Sequence, residues 1–263
     1  MIIQFHKYEG TGNDFIMIDN RNENFKNDAS VISRLCDRKF GIGADGLILL
    51  NPSGDLDFAM VYFNADGQQA EMCANGGRCI IAFAHSLGII DKNGTFSAPD
   101  GLHSGLIEHQ SDYQFYISLE MADVSVIQRN TDHFLINTGV PHYIKFVSNI
   151  ENIHVPEEGR KIRNSETFKV AGINVDFCQI SHERLFVRTY ERGVEDETLS
   201  CGTGVTAASI AAYISDKISS PVMVKTPGGE LKVSFEPDGK AFKNVFLSGA
   251  VSKVFQGEFA LFS

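Results

Sequence analysis

The chain has 263 residues, of which 43% are hydrophobic and 21% are charged, as in folded globular proteins rather than disordered ones. Its formal net charge of −10 leaves no basic surplus for neutralising phosphates, so a general nucleic-acid or anionic-membrane binder is not expected. Such a length suits one large domain or two of medium size. A membrane-spanning helix needs about 20 consecutive apolar residues, and no stretch of the sequence approaches that length. The first residues lack a signal-peptide pattern, and a cytoplasmic protein is therefore predicted.

Hydrophobic periodicity predicts a chain rich in strands with a few helices. The predicted elements, in chain order, are a helix around 31–36, strands at 47–50 and 58–63, a helix around 80–87, a strand at 113–121, a weaker helix within 149–164, a strand at 173–177, a helix around 205–212 and a strand at 231–235. Polar or glycine-containing segments such as Asn64-Ala-Asp-Gly67 separate these elements, which is typical of turns.

The predicted elements repeat loosely in the two halves of the chain. In each half, a strand is followed by a polar turn and then by a cysteine at the expected start of a helix. These cysteines, Cys73 and Cys201, are separated by nearly half the chain. The simplest interpretation is two similar domains, 1–122 and 123–263, with the option that the last strand of the chain packs back onto the first domain.

Cys73 lies in the segment Glu71-Met-Cys-Ala-Asn-Gly-Gly-Arg-Cys79, which suits a tight loop whose backbone N–H groups point to one spot. If a helix begins directly after Cys73, its positive dipole end lowers the pKa of the thiol and offers a site for a carboxylate. The alternative is a buried structural cysteine, which is the preferred interpretation for Cys79 in the helix body.

The same arrangement recurs at Ser200-Cys-Gly-Thr-Gly204, which precedes a helix rich in small residues. A core cysteine beside a glycine turn would explain either occurrence alone, but two occurrences favour a shared function. The five cysteines are odd in number and scattered, so thiols are expected rather than a disulfide framework.

Two other motifs are rejected. Gly41-Ile-Gly-Ala-Asp-Gly46 matches the G-x-G-x-x-G string, but a predicted helix precedes it and a predicted strand follows it, which is the reverse of a Rossmann turn. Cys73 and Cys79 are not spaced like a zinc-binding pair, and no second pair or histidine cluster accompanies them. No metal is expected, and no motif calls for pyridoxal chemistry or another cofactor.

Two thiols at helix N-termini on opposite sides of a substrate would suit amino-acid racemisation. One thiolate removes the α-proton, and the opposite thiol returns a proton to the other face. The two sets of backbone N–H groups would hold the α-carboxylate and stabilise the carbanionic transition state.

The sequence resembles the diaminopimelate epimerase family, the pyridoxal-independent enzymes of lysine and peptidoglycan-precursor synthesis, over nearly its whole length. The motifs that carry this resemblance, in order, are Gly12-Asn-Asp-Phe15, Gly41-Ile-Gly-Ala-Asp-Gly46, Phe63-Asn-Ala-Asp-Gly67, Met72-Cys-Ala-Asn-Gly-Gly-Arg-Cys79, Pro141-His142, Glu191-Arg-Gly193 and Cys201-Gly-Thr-Gly204.

The resemblance implies a mixed α+β fold of two pseudo-symmetric domains, each a mostly antiparallel sheet curled around a central helix, with the active site in the cleft between them. It implies that Cys73 and Cys201 transfer protons, and that His142 and Glu191 tune the thiols. The residues that it implies for substrate binding are Asn13, Asn64, Ala74, Asn75, Gly76, Asn174, Glu191, Arg192, Gly202 and Thr203. The implied reaction is the epimerisation of L,L-2,6-diaminopimelate to the meso isomer by a cytoplasmic homodimer, with neither metal nor cofactor and with no nucleic-acid or membrane partner.

Several positions depart from the family pattern. Ala74 and Gly77 stand where the family usually has Gly and Ala, and Val140 replaces an asparagine that is expected to contact the substrate. Gly46 stands where some members have a substrate-contacting glutamine, and the loop 194–198 is one residue longer than usual. These changes concern recognition of the distal end of the substrate rather than proton transfer.

Three alternatives remain open. A proline or hydroxyproline racemase uses a similar thiol pair, but Glu191-Arg192-Gly193 and the motif at Asn64 favour a substrate with a distal amino-acid group. A cysteine hydrolase, with Cys201 as nucleophile and His142 as base, would need only one essential cysteine and would form an acyl-enzyme. A binding module that kept the fold would not need two thiols.

Overall fold

The computed structural model describes residues 2–261. Its helices and strands, in chain order, are β1 (Ile2–Gly10), β2 (Asn13–Asp19), α1 (Ala29–Cys36), β3 (Gly46–Asn51), β4 (Phe58–Asn64), β5 (Gln69–Ala70), α2 (Ala74–Ser86), β6 (Asn93–Ala98), β7 (Gly101–Gln110), β8 (Gln114–Glu120), β9 (Ile127–Arg129), β10 (Phe134–Asn137), β11 (Pro141–Phe146), α3 (Val155–Arg163), β12 (Asn174–Ser181), β13 (Arg184–Glu191), β14 (Asp196–Thr198), α4 (Gly202–Ile214), β15 (Val222–Thr226), β16 (Gly229–Asp238) and β17 (Ala241–Ala260). In the part of the chain that the structure describes, no helix has the length and apolar character needed to cross a membrane.

The chain divides into two units. Unit 1 comprises the residues up to Leu119 together with those from Gly249 onward, and unit 2 is Glu120–Ser248. The predicted division into 1–122 and 123–263 differs from these units at its boundary, which comes a few residues earlier, where β8 ends. The segment from Gly249 onward belongs to unit 1, because the second part of β17 hydrogen-bonds to β1 and β8, and this agrees with the option that the last strand packs back onto the first domain.

The strands of unit 1 form a closed ring. Going round it, β1, β2, β3, β4, β6, β7 and β8 each pair with the next, and the second part of β17 joins β8 to β1. The β2–β3 and β4–β6 pairs are parallel and the others antiparallel. Helix α2 packs against β1, β2, β3 and β7, and its residues from Ala74 to Ala84 are all buried. The predicted sheet around a central helix is confirmed for this unit.

Unit 2 repeats this order of pairings. Its β10–β11, β12–β13 and β15–β16 pairs are antiparallel, and its β11–β12 and β13–β15 pairs are parallel, in the same places as the parallel pairs of unit 1. Helices α3 and α4 occupy the same positions in this order as α1 and α2. Helix α4 is buried against strands β10 to β13, β15 and β16. The two pseudo-symmetric halves that the sequence predicts are therefore confirmed.

Local sequence signals explain where two helices begin and end. The side chain of Asp28 accepts hydrogen bonds from the backbone N–H groups of Ser30 and Val31, which caps the start of α1. Helix α2 ends just before Gly88, whose φ of 70° favours glycine and directs the chain out of the helix. Helix α1 covers the predicted range 31–36, and α2 covers the predicted range 80–87 except for Leu87, which is its C-cap.

Strand β3 is buried on both sides, which positions the first turn of α2. Leu47 and Leu49 pack with Ile32 of α1 in one hydrophobic cluster. On the other side Ile48 faces α2, since a Cβ on Gly76 would lie only 2.8 Å from Ile48 Cδ1. Glycine at 76 therefore lets the helix N-terminus approach the sheet closely.

Candidate functional site

In unit 1, Cys73 occupies the N-cap position of α2. Its backbone is extended, with φ of −95° and ψ of 123°, and its side chain makes no capping hydrogen bond. Ala74, Asn75 and Gly76 form the first turn, whose N–H groups have no partner within the helix. Ala74 has an ordinary helical conformation, so the replacement of the family's usual glycine keeps the predicted backbone donor.

The Cys73 thiol lies beside a pair of oriented amides. Its Sγ donates to Asn13 Oδ1 at 3.6 Å, and Asn75 Nδ2 donates to the same oxygen at 3.5 Å. Asn13 Nδ2 donates to Asp45 Oδ2 at 2.7 Å. Because a carboxylate only accepts, Asp45 fixes the orientation of the Asn13 amide and turns its carbonyl oxygen toward the thiol.

An ion-pair network holds this part of unit 1. Asp14 accepts from Lys7 Nζ at 2.7 Å and from two Arg38 nitrogens at 2.7 and 3.0 Å. Arg38 also donates to Asp45 at 2.8 Å. Burial of Asp14 opposes ionisation, but the hydrogen bonds from Arg38 and Lys7 outweigh it and hold its pKa well below the usual range. The motif at residues 41–46, rejected as a nucleotide site, thus supplies the carboxylate that orients Asn13.

Asn64 is exposed at the end of β4 and is paired in register with Gly46, which directly follows Asp45. A Cβ at Gly46 would lie 2.5 Å from both Phe63 O and Tyr62 Cε2. The space that a glutamine would need at this position is therefore taken by β4 itself, which explains the glycine.

In unit 2, Cys201 occupies the N-cap position of α4, and it is only 6% exposed. Its Sγ lies 3.4 Å from Thr203 Oγ1, which in turn lies 3.0 Å from His142 Nε2. His142 Nδ1 lies 2.7 Å from Asp176 Oδ2, and both of these side chains are fully buried. Thr189 Oγ1 donates to Asp176 Oδ1 at 2.7 Å. These five side chains, from Cys201 to Thr189, form a continuous series of hydrogen bonds, which we call the relay.

The Asp176 carboxylate determines which group donates in each of these hydrogen bonds. Because Asp176 accepts, His142 donates its Nδ1–H, and in the tautomer that carries this single proton Nε2 accepts the Thr203 hydroxyl proton. The Thr203 oxygen is left to accept the S–H of Cys201. Thr203 is also held by Thr138 Oγ1, which donates to its backbone oxygen at 3.0 Å. Asp176, Thr138 and Thr189 were not predicted as site residues.

The pKa of Cys201 is raised well above its usual range. Burial is the largest cause, followed by the Glu191 and Asp176 carboxylates, and together they outweigh the hydrogen bonds that the Thr203 hydroxyl and the Gly204 N–H can donate to the thiolate form. The predicted lowering by the helix N-terminus is present in the Gly204 N–H, but burial and the two carboxylates outweigh it. Cys201 is a protonated thiol at neutral pH, and it is poised to give a proton.

The other predicted residues of unit 2 lie at the ends of β12 and β13. Glu191 Oε2 accepts from Thr198 Oγ1 at 2.9 Å, and burial raises the pKa of the Glu191 carboxyl. The Arg192 N–H donates to Asn174 Oδ1 at 2.8 Å, and the exposed Arg192 guanidinium donates to Ala171 O at 3.1 Å. Electrostatic interactions of Glu191 with Cys201 and His142 place this carboxylate in the same group as the relay.

The remaining cysteines are core residues. Burial raises the pKa of Cys36 to about 12, and that of Cys79 and Cys178 well above the usual range. The structural interpretation of Cys79 is confirmed. Among residues 2–261, no group of three or more His, Cys, Asp or Glu side chains is arranged to hold a metal ion.

Gly204→Ala is expected to destabilise the protein by about 1–3 kcal/mol, because it overpacks the relay. A Cβ at this position would collide with Asp176 Oδ1 and lie 3.2 Å from His142 Cε1. Urea unfolding measures the change. Gly54→Ala is the matched control, since a Cβ there has no atom within 4 Å; it should leave stability unchanged or raise it slightly. Equal stability of the Gly204 variant and wild type would contradict the observed packing.

Glu191→Gln is expected to gain stability relative to wild type as the pH rises from mildly acidic to neutral. Burial raises the folded-state pKa of Glu191, so its contribution to stability is greatest when it is protonated and is lost as the pH rises through that pKa. Glutamine stays neutral and keeps an acceptor for Thr198. Urea unfolding at mildly acidic and at neutral pH measures the free energy of unfolding of both proteins. The surface variant Glu230→Gln is the control for a lost charge. If the difference in unfolding free energy between Glu191→Gln and wild type does not grow with pH, burial does not disfavour the ionised form of Glu191.

Comparison with known proteins identifies related chains over the full length. The family model "Diaminopimelate epimerase" matches residues 5–125 and again 134–254, in agreement with the repeated units. Diaminopimelate epimerase from Flavobacterium psychrophilum is 48% identical over 257 residues, which is 97% of this chain and 99% of that protein. The enzyme of the same name from Aquifex aeolicus is 39% identical over 274 residues, with 97% of each chain covered.

Solved structures share the fold at low sequence identity. A Bacillus anthracis phenazine biosynthesis protein of the PhzF family aligns with a TM-score of 0.74 at 14% identity, covering 99% of this chain and 100% of that one. A hydroxyproline epimerase from Agrobacterium vitis aligns with a TM-score of 0.72 at 13% identity, covering 99% of this chain and 93% of that one.

Proposed function

The chain belongs to the diaminopimelate epimerase family, and we propose that it interconverts L,L-2,6-diaminopimelate and the meso isomer with two thiols as acid and base. The observation that carries this proposal is the repeated placement of a cysteine at the N-cap of a buried helix, Cys73 before α2 and Cys201 before α4. Each thiol therefore lies at the start of its helix, beside N–H groups of the first turn that have no partner within the helix itself.

The two thiols would act on the same α-carbon from opposite sides. In one direction Cys73 removes the α-proton as a thiolate, and Cys201, which is protonated at neutral pH, donates its proton to the other face. Thr203 can then turn its hydroxyl toward the new thiolate. In the reverse direction the two cysteines exchange roles, because the same transition state is crossed both ways.

The α-carboxylate of the substrate would bind to the N–H groups of the two first turns. Ala74, Asn75 and Gly76 supply one set, and Gly202 and Thr203 the other. These fixed dipoles stabilise the negative charge that develops on the carboxylate when the proton leaves. The proposed tuning of the thiols by His142 and Glu191 is supported by their hydrogen-bonded and electrostatic links to Cys201.

Recognition of the distal amino-acid group would use charge and amide partners. The Arg192 guanidinium suits the distal carboxylate, and the Glu191 carboxylate suits the ammonium group. Asn64, Asn174 and Asn13 would complete the polar contacts. Val140 removes one side-chain contact, so we propose that distal recognition rests on this charged pair more than in relatives with an asparagine there.

The cellular setting follows from the proposed reaction. The enzyme would work in the cytoplasm as a homodimer, in the synthesis of lysine and peptidoglycan precursors, without metal or cofactor. The net charge of −10 supports the proposed lack of nucleic-acid and membrane partners.

Deuterium incorporation tests this proposal. The purified protein is incubated with L,L-diaminopimelate in heavy water with chelator and without added cofactor, and NMR and chiral chromatography follow the product. We expect meso product with deuterium at the inverted α-carbon. Exchange with proline but not with diaminopimelate would instead show a proline racemase, and no exchange with either would overturn the proposal.

A further inference from the structure

Arg192, directly after β13, carries the exposed guanidinium that the proposed function assigns to the distal carboxylate of the substrate. Among residues 2–261, no Asp or Glu side chain lies within ion-pair distance of this guanidinium, which donates through Nη1 to Ala171 O at 3.1 Å. An arginine has five N–H donors, so further donors of this group can serve a ligand. The contacts that hold Arg192 therefore bear on recognition of the distal carboxylate.

The Arg192 side chain lies directly against the segment 168–172, which lies between α3 and β12 and which we call the platform. A Cβ at Gly172 would lie 2.5 Å from Arg192 Cδ and 3.1 Å from its Cγ. Glycine permits this close approach, and the φ of 74° at Gly172 also favours glycine. The Gly172 N–H donates to Phe168 O at 2.7 Å, which closes the platform into a turn. The platform thus holds the stem of Arg192 and, through Ala171 O, its guanidinium.

Arg163, the last residue of α3, lies against the same platform. A Cβ at Gly172 would lie 3.2 Å from Arg163 Cζ, and Arg163 Nη1 donates to Lys169 O at 3.3 Å. Two arginine side chains therefore meet at one glycine. The Arg163 side chain is only 17% exposed, and its Nε forms an ion pair with Glu195 Oε1 at 3.3 Å. Because Glu195 compensates the charge of Arg163, the group that can bind a carboxylate is Arg192, and Arg163 holds its surroundings.

Glu195 links Arg163 to the turn after β13. Its carboxylate accepts from the Tyr190 hydroxyl at 3.0 Å and from the Gly193 N–H at 3.3 Å. Glu195 belongs to the loop 194–198, which is one residue longer than usual in the family, and its φ of 59° lies in the left-handed region. This loop brings a carboxylate back to Arg163, so the ion pair ties the turn to the platform.

We propose that Arg163 is a positioning residue for Arg192. Its ion pair with Glu195 and its hydrogen bond to the platform join the two segments next to Arg192, and so preorganise the guanidinium for the distal carboxylate. This inference rests on the proposed function for the identity of the ligand. It adds to that function a residue that determines specificity for a substrate with a second carboxylate.

Steady-state kinetics of Arg163→Met, Arg192→Met and the double variant test this role. The distal end is remote from the reacting α-carbon, so its contacts are alike in the ground and transition states. Arg163→Met should therefore raise KM for diaminopimelate about fivefold to tenfold with kcat nearly unchanged. In the Arg192→Met background the same substitution should add almost nothing, because it acts through Arg192. Arg184→Met is the matched control, since Arg184 pairs with Glu230 at 2.8 Å at the opposite end of β13, and its KM should equal that of wild type.

A second measurement does not depend on catalysis. Side-chain ¹⁵N NMR relaxation reports the mobility of the Arg192 Nε–H group, which we expect to increase in Arg163→Met. Arg188 is the internal reference, because its Nε donates to Glu197 Oε1 at 2.6 Å and its Nη2 donates to Glu197 Oε2 at 2.7 Å. The mobility of the Arg188 Nε–H group should therefore stay the same.

An unchanged KM in a folded Arg163→Met protein would overturn the proposal, and so would an equal rise in KM with and without Arg192. A lower kcat at unchanged KM would show that Arg163 supports only the fold. If Arg163→Met does not fold, Glu195→Gln replaces it, since glutamine removes the charge of the ion pair and keeps an acceptor for Tyr190; KM should again rise. If the wild type does not epimerise diaminopimelate, the proposed function is refuted. The Arg192 mobility then decides the role of Arg163, and an unchanged mobility overturns it.

Discussion

Replacement of either Cys73 or Cys201 by serine is expected to lower kcat/KM for diaminopimelate epimerisation by about 10²- to 10⁴-fold. A hydroxyl group has nearly the size of a thiol but ionises far less readily, so it is a poor base and a poor acid at neutral pH. Because inversion needs both proton transfers, each single variant should lose nearly as much as the double variant does. Chiral chromatography of the product in both directions measures this loss.

Cys36→Ser is the matched control for this experiment. Cys36 is a buried core thiol of α1, so the same atomic change should cost some stability and leave kcat/KM unchanged well below the melting temperature. Wild-type activity in Cys73→Ser, with loss only in Cys201→Ser, would refute a two-thiol mechanism. That outcome would favour the one-cysteine hydrolase and call for a search for an acyl-enzyme.

Features that depend on neighbouring residues in the chain could be predicted from the sequence. The start of α2 after Cys73 follows from the glycine-rich segment before an apolar face, and its end follows from Gly88. The start of α4 after Cys201 follows in the same way. The strand at 173–177 follows from its alternation of apolar and polar residues, and it overlaps the first half of β12.

Features that depend on strand pairing could not be predicted. Asp176 lies on the polar side of its alternating strand, which is the one signal that could have singled it out. Its role appears only when β12 pairs with β13 and places it opposite Thr189, and when β11 brings His142 alongside. The raised pKa of Cys201 has the same origin, because the helix start is local but its burial and the nearby carboxylates come from distant strands. The return of β17 to unit 1 is equally non-local, so the sequence indicates it only as an option.

Asp176→Asn is expected to destabilise the protein by about 1–3 kcal/mol and to lower kcat by about 10²-fold. Asparagine replaces one acceptor oxygen by an NH2 group, so a buried hydrogen bond to Thr189 or His142 must be lost or reversed. If the NH2 group faces His142, the imidazole must take the other tautomer and donate from Nε2 to Thr203. Where the histidine itself is the base, a wrong tautomer lowers kcat by about 10⁴-fold. Here it acts through Thr203, and a smaller loss is expected.

The reversed relay has a signature that simple destabilisation does not produce. Once Thr203 accepts from His142, its hydroxyl proton points to Cys201 Sγ and stabilises the thiolate, and the loss of the Asp176 charge acts in the same direction. The pH midpoint of Cys201 alkylation should therefore fall in Asp176→Asn while kcat falls. Asp238→Asn, which removes an exposed ion pair with Lys243, should change stability by no more than about 0.5 kcal/mol and leave both cysteines unaffected. A Cys201 midpoint that stays at the wild-type value in Asp176→Asn would show that Asp176 supports the fold but not the chemistry.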